Sequence, residues 1–254
     1  MLRQRFAPVL FALPLAAAPF LQPGVTSADA SSTAAGEVRP TSSLEPAPFA
    51  ASEPSLLPEP PADAKLVIAG GSNLRSVVEQ LGESTGVLFR ADAETWSLLN
   101  GLPCGLDRPA EIDGKDAWRF LNDLLLSNQL YIGALRMNAP YLLEILPSRT
   151  QDRQRIARSF PLSLTPEQLE TFSDYTALMV QVPFGVKYAE APQLSNSMRG
   201  LTTDSNVSYV QASGFGTVLA TGPLRTVDSI GDAVRSADES ERARRELNAA
   251  QSKD

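Results

Sequence analysis

The densest group of ionisable side chains in the part of the sequence expected to fold is a set of four carboxylates: Asp107, Glu111, Asp113 and Asp116. Carboxylates this close together can bind calcium or act as an acid–base pair. Their spacing does not match the EF-hand loop, and Asp113 stands where the next helix needs a cap. A solvated loop is therefore the favoured interpretation, and we predict no catalytic residue and no metal site.

The sequence of 254 residues has no histidine and one cysteine, Cys104. The lack of histidine excludes Ser-His-Asp and Cys-His catalysis, and a single cysteine excludes an intrachain disulfide. Cys104 is interpreted as a buried small hydrophobe, with an intermolecular disulfide as the alternative. A hydrolase that uses carboxylates alone stays open as a minor hypothesis. We predict a protein that is not an enzyme and that needs no cofactor.

The charge balance argues against nucleic acid as a partner. Lys and Arg number 22 against 29 Asp and Glu, which gives a net charge of −7. Binding to nucleic acid draws its affinity mainly from neutralised phosphates, which an acidic surface does not supply. No two of the sixteen glycines lie three positions apart, so the GxxG loop of RNA-binding KH domains is missing.

The N-terminus reads as an export signal. Arg3 and Arg5 precede an apolar run over residues 6–21, and Ala28-Asp29-Ala30 offers small residues for cleavage before Ser31. A membrane anchor is the alternative, although the run is short for a bilayer span. We expect an exported, periplasmic protein with no transmembrane segment after cleavage. Residues 31–64 hold seven prolines without hydrophobic periodicity, which predicts a disordered linker.

The remaining chain predicts an α+β fold of two small mixed units. In the first unit, residues 65–149, a strand at 65–69 leads through a Ser72 cap into a helix, followed by a strand at 87–89 and a polar stretch. A second helix begins after Asp113, and strands at 130–135 and 141–146 close the unit. The face of the second helix carries apolar residues at helical spacing: Ala117, Phe120, Leu121, Leu124 and Leu125.

A joint over residues 150–177 separates the units. It contains a capping-box pattern, Thr165-Pro166-Glu167-Gln168, that predicts one short helix. A basic group sits at its start: Arg149, Arg153, Arg155 and Arg158. This group is either a solvated face or a surface for an acidic partner.

The second unit, residues 178–238, is predicted as strand-helix-strand-strand-helix. Its strands are expected at 178–182, 186–188, 207–210 and 217–221, with one helix from Pro192 to Leu201. The closing helix has an apolar inner face: Val227, Ile230, Val234 and Ala237. The charged tail, residues 239–254, is expected to extend this helix and then fray.

These patterns resemble a known family. LVIAGGSNLRSVVEQLGESTGVLFRAD, followed by GLDRPAEIDGKDAWRFLNDLLLSNQLYI, resembles the secretin and TonB N-terminal (STN) domain. MVQVPFGVKYAEAPQLSNSMRGL, with the stretch from NVSYV to SAD, is similar to the KH-like ring-building domain of secretins, whose closing helix ends in an aspartate, here Asp238. The resemblance implies the periplasmic modules of a secretin without its pore.

The resemblance implies a non-enzymatic component that acts by protein–protein assembly in an envelope secretion, pilus or transport complex. Its partners would be further copies of itself, a secretin or another envelope component. The alternative is an STN-type signalling or adaptor module that contacts a membrane-anchored regulator. Exposed sheet edges are the physical means of such pairing. We expect contacts at the edge strand around Val207 and Tyr209, and on helix faces near Arg225 and Arg235.

Overall fold

The computed structural model describes residues 56–148, 161–202, 207–214 and 216–251, and these belong to one compact unit. The nine strands of this part are β1 Lys65–Ile68, β2 Leu88–Arg90, β3 Ala110–Asp113, β4 Leu130–Arg136, β5 Leu142–Pro147, β6 Leu162–Ser163, β7 Met179–Gly185, β8 Tyr209–Ala212 and β9 Thr217–Pro223. Its α-helices are α1 Leu74–Thr85, α2 Ala93–Gly101, α3 Gly114–Ser127, α4 Gln168–Thr171, α5 Ala191–Met198 and α6 Leu224–Gln251. The predicted α+β class is confirmed.

The first half contains two small sheets. Strands β1 and β3 pair antiparallel, while β2, β5 and β4 form a second sheet in that order, with β2 parallel to β5. Helix α1 buries the predicted face of Leu74, Val77, Val78 and Leu81. Its cap is Asn73 rather than Ser72, because the Asn73 side chain accepts the Ser76 N–H at 3.0 Å. The predicted hairpin of β4 and β5 is confirmed.

Helix α2 lies where only a polar stretch was predicted. Its N-cap, Asp92, accepts the Thr95 N–H at 2.7 Å. Only two of its residues, Thr95 and Leu99, are buried. A helix that buries so little has almost no apolar periodicity, which is why the pattern did not reveal it.

The end of the predicted linker is ordered, which corrects the boundary at residue 64. We call residues 56–64 the strap. Leu57 is only 3% exposed, and the Pro58 carbonyl accepts the indole N–H of Trp118 at 3.0 Å. The Trp118 ring also lies 5.6 Å from that of Tyr175, whose pKa burial raises to about 12. A proline-rich segment can be ordered at little entropic cost when such a surface is ready to receive it. The predicted signal and the rest of the linker lie outside the described residues.

The second half is one four-stranded sheet in the order β6-β7-β9-β8, with β6 parallel to β7 and the other pairs antiparallel. The strand predicted at 186–188 is absent, since β7 ends at Gly185 and the chain then turns. The Asp238 carboxylate accepts the N–H groups of Lys187, Tyr188 and Ala189, which holds this segment in a loop. Strand β8 also begins two residues later than predicted.

Helix α6 closes the second half. Its predicted inner face is confirmed: Val227, Ile230 and Val234 are buried, and Ala237 packs against the core. The helix continues through the charged tail as far as Gln251. In the joint, the predicted short helix is present as α4, and Gln168 Oε1 accepts the Thr165 N–H at 2.8 Å, which is one arm of a capping box. The basic group at 149–158 lies outside the described residues.

Candidate interaction surfaces

The two halves are joined by backbone pairing along the outer side of β4. The N–H of Ile132 donates to the Ala177 carbonyl at 2.9 Å, and Ile132 forms a parallel bridge with Leu178. The N–H of the same residue, Ala177, donates to Asn122 Oδ1 at 2.9 Å. Asn122 is fully buried on α3 and also donates to the Trp118 carbonyl. The backbone of Ala177 is thus satisfied entirely by the first half of the chain.

A small apolar cluster, which we call the seam, reinforces this pairing. It consists of Tyr131, Leu146, Met179 and Val207. Tyr131 and Leu146 come from β4 and β5, whereas Met179 and Val207 come from the second half. Val207 is 1% exposed, so its side chain is not available to a partner as the sequence suggested. It precedes β8, and its side chain packs inward with Tyr131, Leu146 and Met179.

Strand β8 is one of the two edge strands of the four-stranded sheet, and β6 is the other. It pairs with β9 on one side, and no other strand of the described residues pairs with it. Tyr209 is half-buried at its start, and Gln211 is exposed. An edge strand with free backbone groups is a template for pairing with another chain. Tyr209 therefore lies where the sequence predicted an edge.

The two predicted arginines line a single groove of about 500 Å³ beside the start of α6. Arg225 and Arg235 are exposed, and Arg235 makes an ion pair with Asp232 on the same helix. The opposite wall comes from α4 and its approach and includes Glu167 and Glu170. The groove is of mixed charge, and it lies away from the β8 edge, so the four predicted residues do not form one surface.

Exposed apolar side chains mark two further edges. Val67 of β1 and Leu88 of β2 are each slightly more than half exposed. Strand β2 has β5 as its only partner in the described sheet. Large apolar residues at open edges favour contact with other proteins.

The four carboxylates of the sequence analysis do not form a reactive pair. Glu111 makes an ion pair with Lys65 across the β1–β3 ladder at 2.7 Å, and this hydrogen bond lowers the pKa of Glu111. A general acid would need the opposite shift. Asp113 caps α3 by position, without a side-chain hydrogen bond. In the described ranges, no group of three or more Cys, Asp or Glu side chains is arranged to hold a metal ion.

Cys104 is 6% exposed, which confirms the prediction of a buried small hydrophobe. Desolvation raises the pKa of its thiol. A thiol that is buried and protonated is a poor nucleophile.

Asp238 fastens the end of the packed part of α6 to the loop after β7. Its Oδ1 accepts the N–H groups of Tyr188 and Ala189, each at 2.7 Å, and both oxygens lie 3.1 Å from the Lys187 nitrogen. Desolvation raises the pKa of Asp238, but the three N–H donors outweigh it and hold the pKa below its ordinary value. The Arg242 guanidinium lies over the Tyr188 ring and covers the same loop.

We expect Asp238→Asn to lower the free energy of unfolding by about 1–2 kcal/mol at pH 7, because hydrogen bonds to a charged acceptor are replaced by bonds to an amide. The folded-state pKa is lowered, so the contribution of Asp238 is present above its unfolded pKa and is lost as pH falls through its folded pKa. Urea unfolding at pH 7 and pH 3 measures this difference, which should shrink at the lower pH. Asp232→Asn, an exposed change on the same helix, is the control. An equal loss at both pH values would contradict the assignment.

Asn122 and the strap were not identified from the sequence. Asn122 carries one detectable signal, since it is a polar residue beside the apolar positions Leu121 and Leu125 of α3. Its partner, Ala177, is 55 residues away, and no local pattern links the two.

No family model and no curated protein matches this chain. Among solved structures, a chain of the type II secretion system outer membrane complex of Klebsiella pneumoniae, with PulD, PulS and the PulC HR domain, is 12% identical, with a TM-score of 0.51. That match covers 67% of this chain and 26% of the other, so this chain spans about a quarter of its relative's length.

Two further similar structures have lower TM-scores. The N-terminal domain of the secretin XcpQ from Pseudomonas aeruginosa is 12% identical, covers 69% of this chain and 66% of the other, and has a TM-score of 0.23. The GspC–GspD complex of enterotoxigenic Escherichia coli is 11% identical, covers 69% and 99%, and has a TM-score of 0.24. The structural neighbours are secretin-system proteins. For the Klebsiella pneumoniae chain, with a TM-score of 0.51 at 12% identity, the likeness shows the α+β fold alone. No helix of the described ranges combines the length and the apolar character that a membrane span requires.

Proposed function

We propose that this protein is an exported, non-enzymatic component of an envelope secretion complex and that it acts in the periplasm by protein–protein contact. The observation that carries this proposal is the likeness in fold, over 67% of the chain, to a chain of a type II secretion outer membrane complex. Its partners would be further copies of itself, a secretin or another component of the complex.

In this proposal, residues 65–149 are an STN-like module and residues 178–238 are a KH-like ring-building module. The order β7, α5, β8, β9, α6 supports the second assignment. Asp238 gives the family's terminal aspartate a physical role, because it binds the loop after β7. Residues 150–177 form the joint, and residues 239–254 extend the last helix. The seam holds the two modules together as one body. They would therefore enter a complex in a fixed orientation relative to each other.

Contact would use the open edge at β8 and the groove beside α6. Tyr209 offers a half-buried aromatic ring at the edge, and Arg225 and Arg235 offer exposed charge. Aromatic and arginine side chains are the residue types most enriched in the energetic centres of interfaces.

Light scattering behind size exclusion tests the proposal on the chain without its predicted signal, over a concentration series. We expect a mass above that of the monomer that increases with concentration, and co-purification of an envelope secretion component from cells. Tyr209→Ala and Arg235→Ala should weaken association while the fold is retained.

Val207→Ala is the matched comparison, because this buried change should lower stability without a direct effect on association. A strict monomer that captures no secretion component would contradict the proposal. Capture of a membrane-anchored regulator by such a monomer would favour the signalling alternative.

A further inference from the structure

The last part of α6 projects beyond the sheet. The buried residues of this helix end at Val234, and every residue from Arg242 to Gln251 is exposed. At about 1.5 Å per residue, the part after Asp238 is roughly 20 Å long. Ion pairs within the helix support it: Arg242 with Glu246 at 2.8 Å, and Arg244 and Arg245 with Glu241 at 3.0 Å and 3.2 Å. At its start, Arg242 also lies over the Tyr188 ring.

This projecting part has a continuous uncharged face. Ser240, Ala243, Leu247 and Ala250 follow one another at spacings of three, four and three residues. That is the spacing of the core positions of a coiled coil. All four are exposed, and Leu247, at 59%, has the largest exposed fraction of the large hydrophobic residues in the described ranges.

The face is directed away from the rest of the protein. With about 3.6 residues per turn, it is centred roughly 150° around the helix from the buried line of Val227, Ile230 and Val234. A second helix can therefore approach it without meeting the sheet.

The charges that flank the face decide which partner fits. Glu239 and Glu246 lie on one side of it, and Arg244 lies on the other. When two such helices are parallel and in register, Glu239 of one copy lies opposite Arg244 of the other, because these flanking positions pair at a spacing of five residues. An antiparallel pair would instead bring the glutamate sides together, which repels. The segment is thus complementary to a parallel copy of itself.

We propose that residues 239–251 of α6 pair with the same segment of a second copy, parallel and in register, through Ser240, Ala243, Leu247 and Ala250. This inference rests on the proposed assembly function, which it deepens by naming the surface and its partner. Two heptads with one leucine make a weak contact in isolation. Such a contact becomes effective where copies are already held side by side, because the local concentration of the partner helix is then high.

Disulfide trapping on the full chain tests the register. In the proposed pair, each Leu247 faces its own copy, so Leu247→Cys should form a covalent dimer under mild oxidation. Leu201→Cys, at a site of similar exposure (46%) outside α6, is the control and should form about tenfold less dimer. Cys104 is buried and is common to both chains. Circular dichroism verifies that each variant is folded.

A mixture of two variants tests the direction. Ser240→Cys and Leu247→Cys chains should each link to their own kind and not to one another, because the two positions lie roughly 10 Å apart along parallel helices. Preferred cross-linking between the two variants would establish an antiparallel pair and overturn the proposal.

Charge reversal tests the pairing of Glu239 with Arg244. Glu239→Arg alone, or Arg244→Glu alone, should reduce trapped Leu247→Cys dimer about tenfold at low salt, and the double change should restore it. Dimer formation equal to that of the Leu201→Cys control would overturn the proposal. If the chain still self-associates in light scattering while this trapping fails, the assembly function stands and only the α6 surface is rejected.

Discussion

Replacing Asn122 with alanine is expected to lower the free energy of unfolding by about 3 kcal/mol. The Asn122 side chain is fully buried and accepts the Ala177 N–H at 2.9 Å. Without it, a buried backbone N–H loses its acceptor, and a small cavity opens between α3 and the joint. Each of these losses costs about 1–3 kcal/mol. Urea unfolding followed by tryptophan fluorescence measures the change, since Trp118 lies one helical turn away on α3.

Asn128→Ala is the matched control. Asn128 also donates to a helix carbonyl, that of Leu124 at 2.8 Å, but it lies at the half-buried end of α3 and connects no other element. We expect its replacement to cost less than about 1 kcal/mol. If both alanine variants lost the same stability, the bond to Ala177 would not be what joins the halves.

Gly231→Ala is expected to destabilise the protein by about 2–3 kcal/mol, although alanine favours a helix more than glycine does. A Cβ atom at Gly231 would lie 2.5 Å from Cε1 of Phe184, and that ring is buried in β7 at 3% exposure. Because the ring is buried, it cannot swing out into solvent, and the ring, α6 or the strand must shift to relieve the contact. Thermal and urea unfolding both report the loss.

Two comparisons separate this steric effect from a general effect of the substitution. Gly101→Ala, at the end of α2, introduces a Cβ with nothing within 4 Å and should be neutral or slightly stabilising. Phe184→Leu combined with Gly231→Ala should cost less than the sum of the two single changes, because the shorter side chain vacates the contact. Strict additivity would show that Gly231 and Phe184 are not coupled.

Elements that bury a periodic apolar face were predictable from the sequence. Hydrophobic spacing predicts the buried faces of α1, α3 and α6 and the hairpin of β4 and β5, because a face that packs on the core must carry apolar residues at the repeat of its helix or strand. Helix α2 was not predictable in this way, because it buries only two residues and is held by the Asp92 cap.

Features that depend on distant partners were not predictable either. Val207 has the sequence pattern of an edge-strand residue, and only the presence of the first half's sheet turns it inward. The loop at 187–189 has strand-like composition, and the Asp238 carboxylate, about 50 residues away, diverts it. Of the candidate site, the sequence indicated the β8 edge and the exposed arginines, while Asn122 and the strap required the three-dimensional arrangement.

The position of the strap determines how mechanical load would enter the protein. A pull on the N-terminal segment would reach the strap before any strand. The Pro58 carbonyl of the strap accepts the indole N–H of Trp118 of α3, and the Trp118 ring lies 5.6 Å from that of Tyr175 in the joint. Force would therefore be shared between both halves at their junction, and it would not peel β1 from β3 one hydrogen bond at a time.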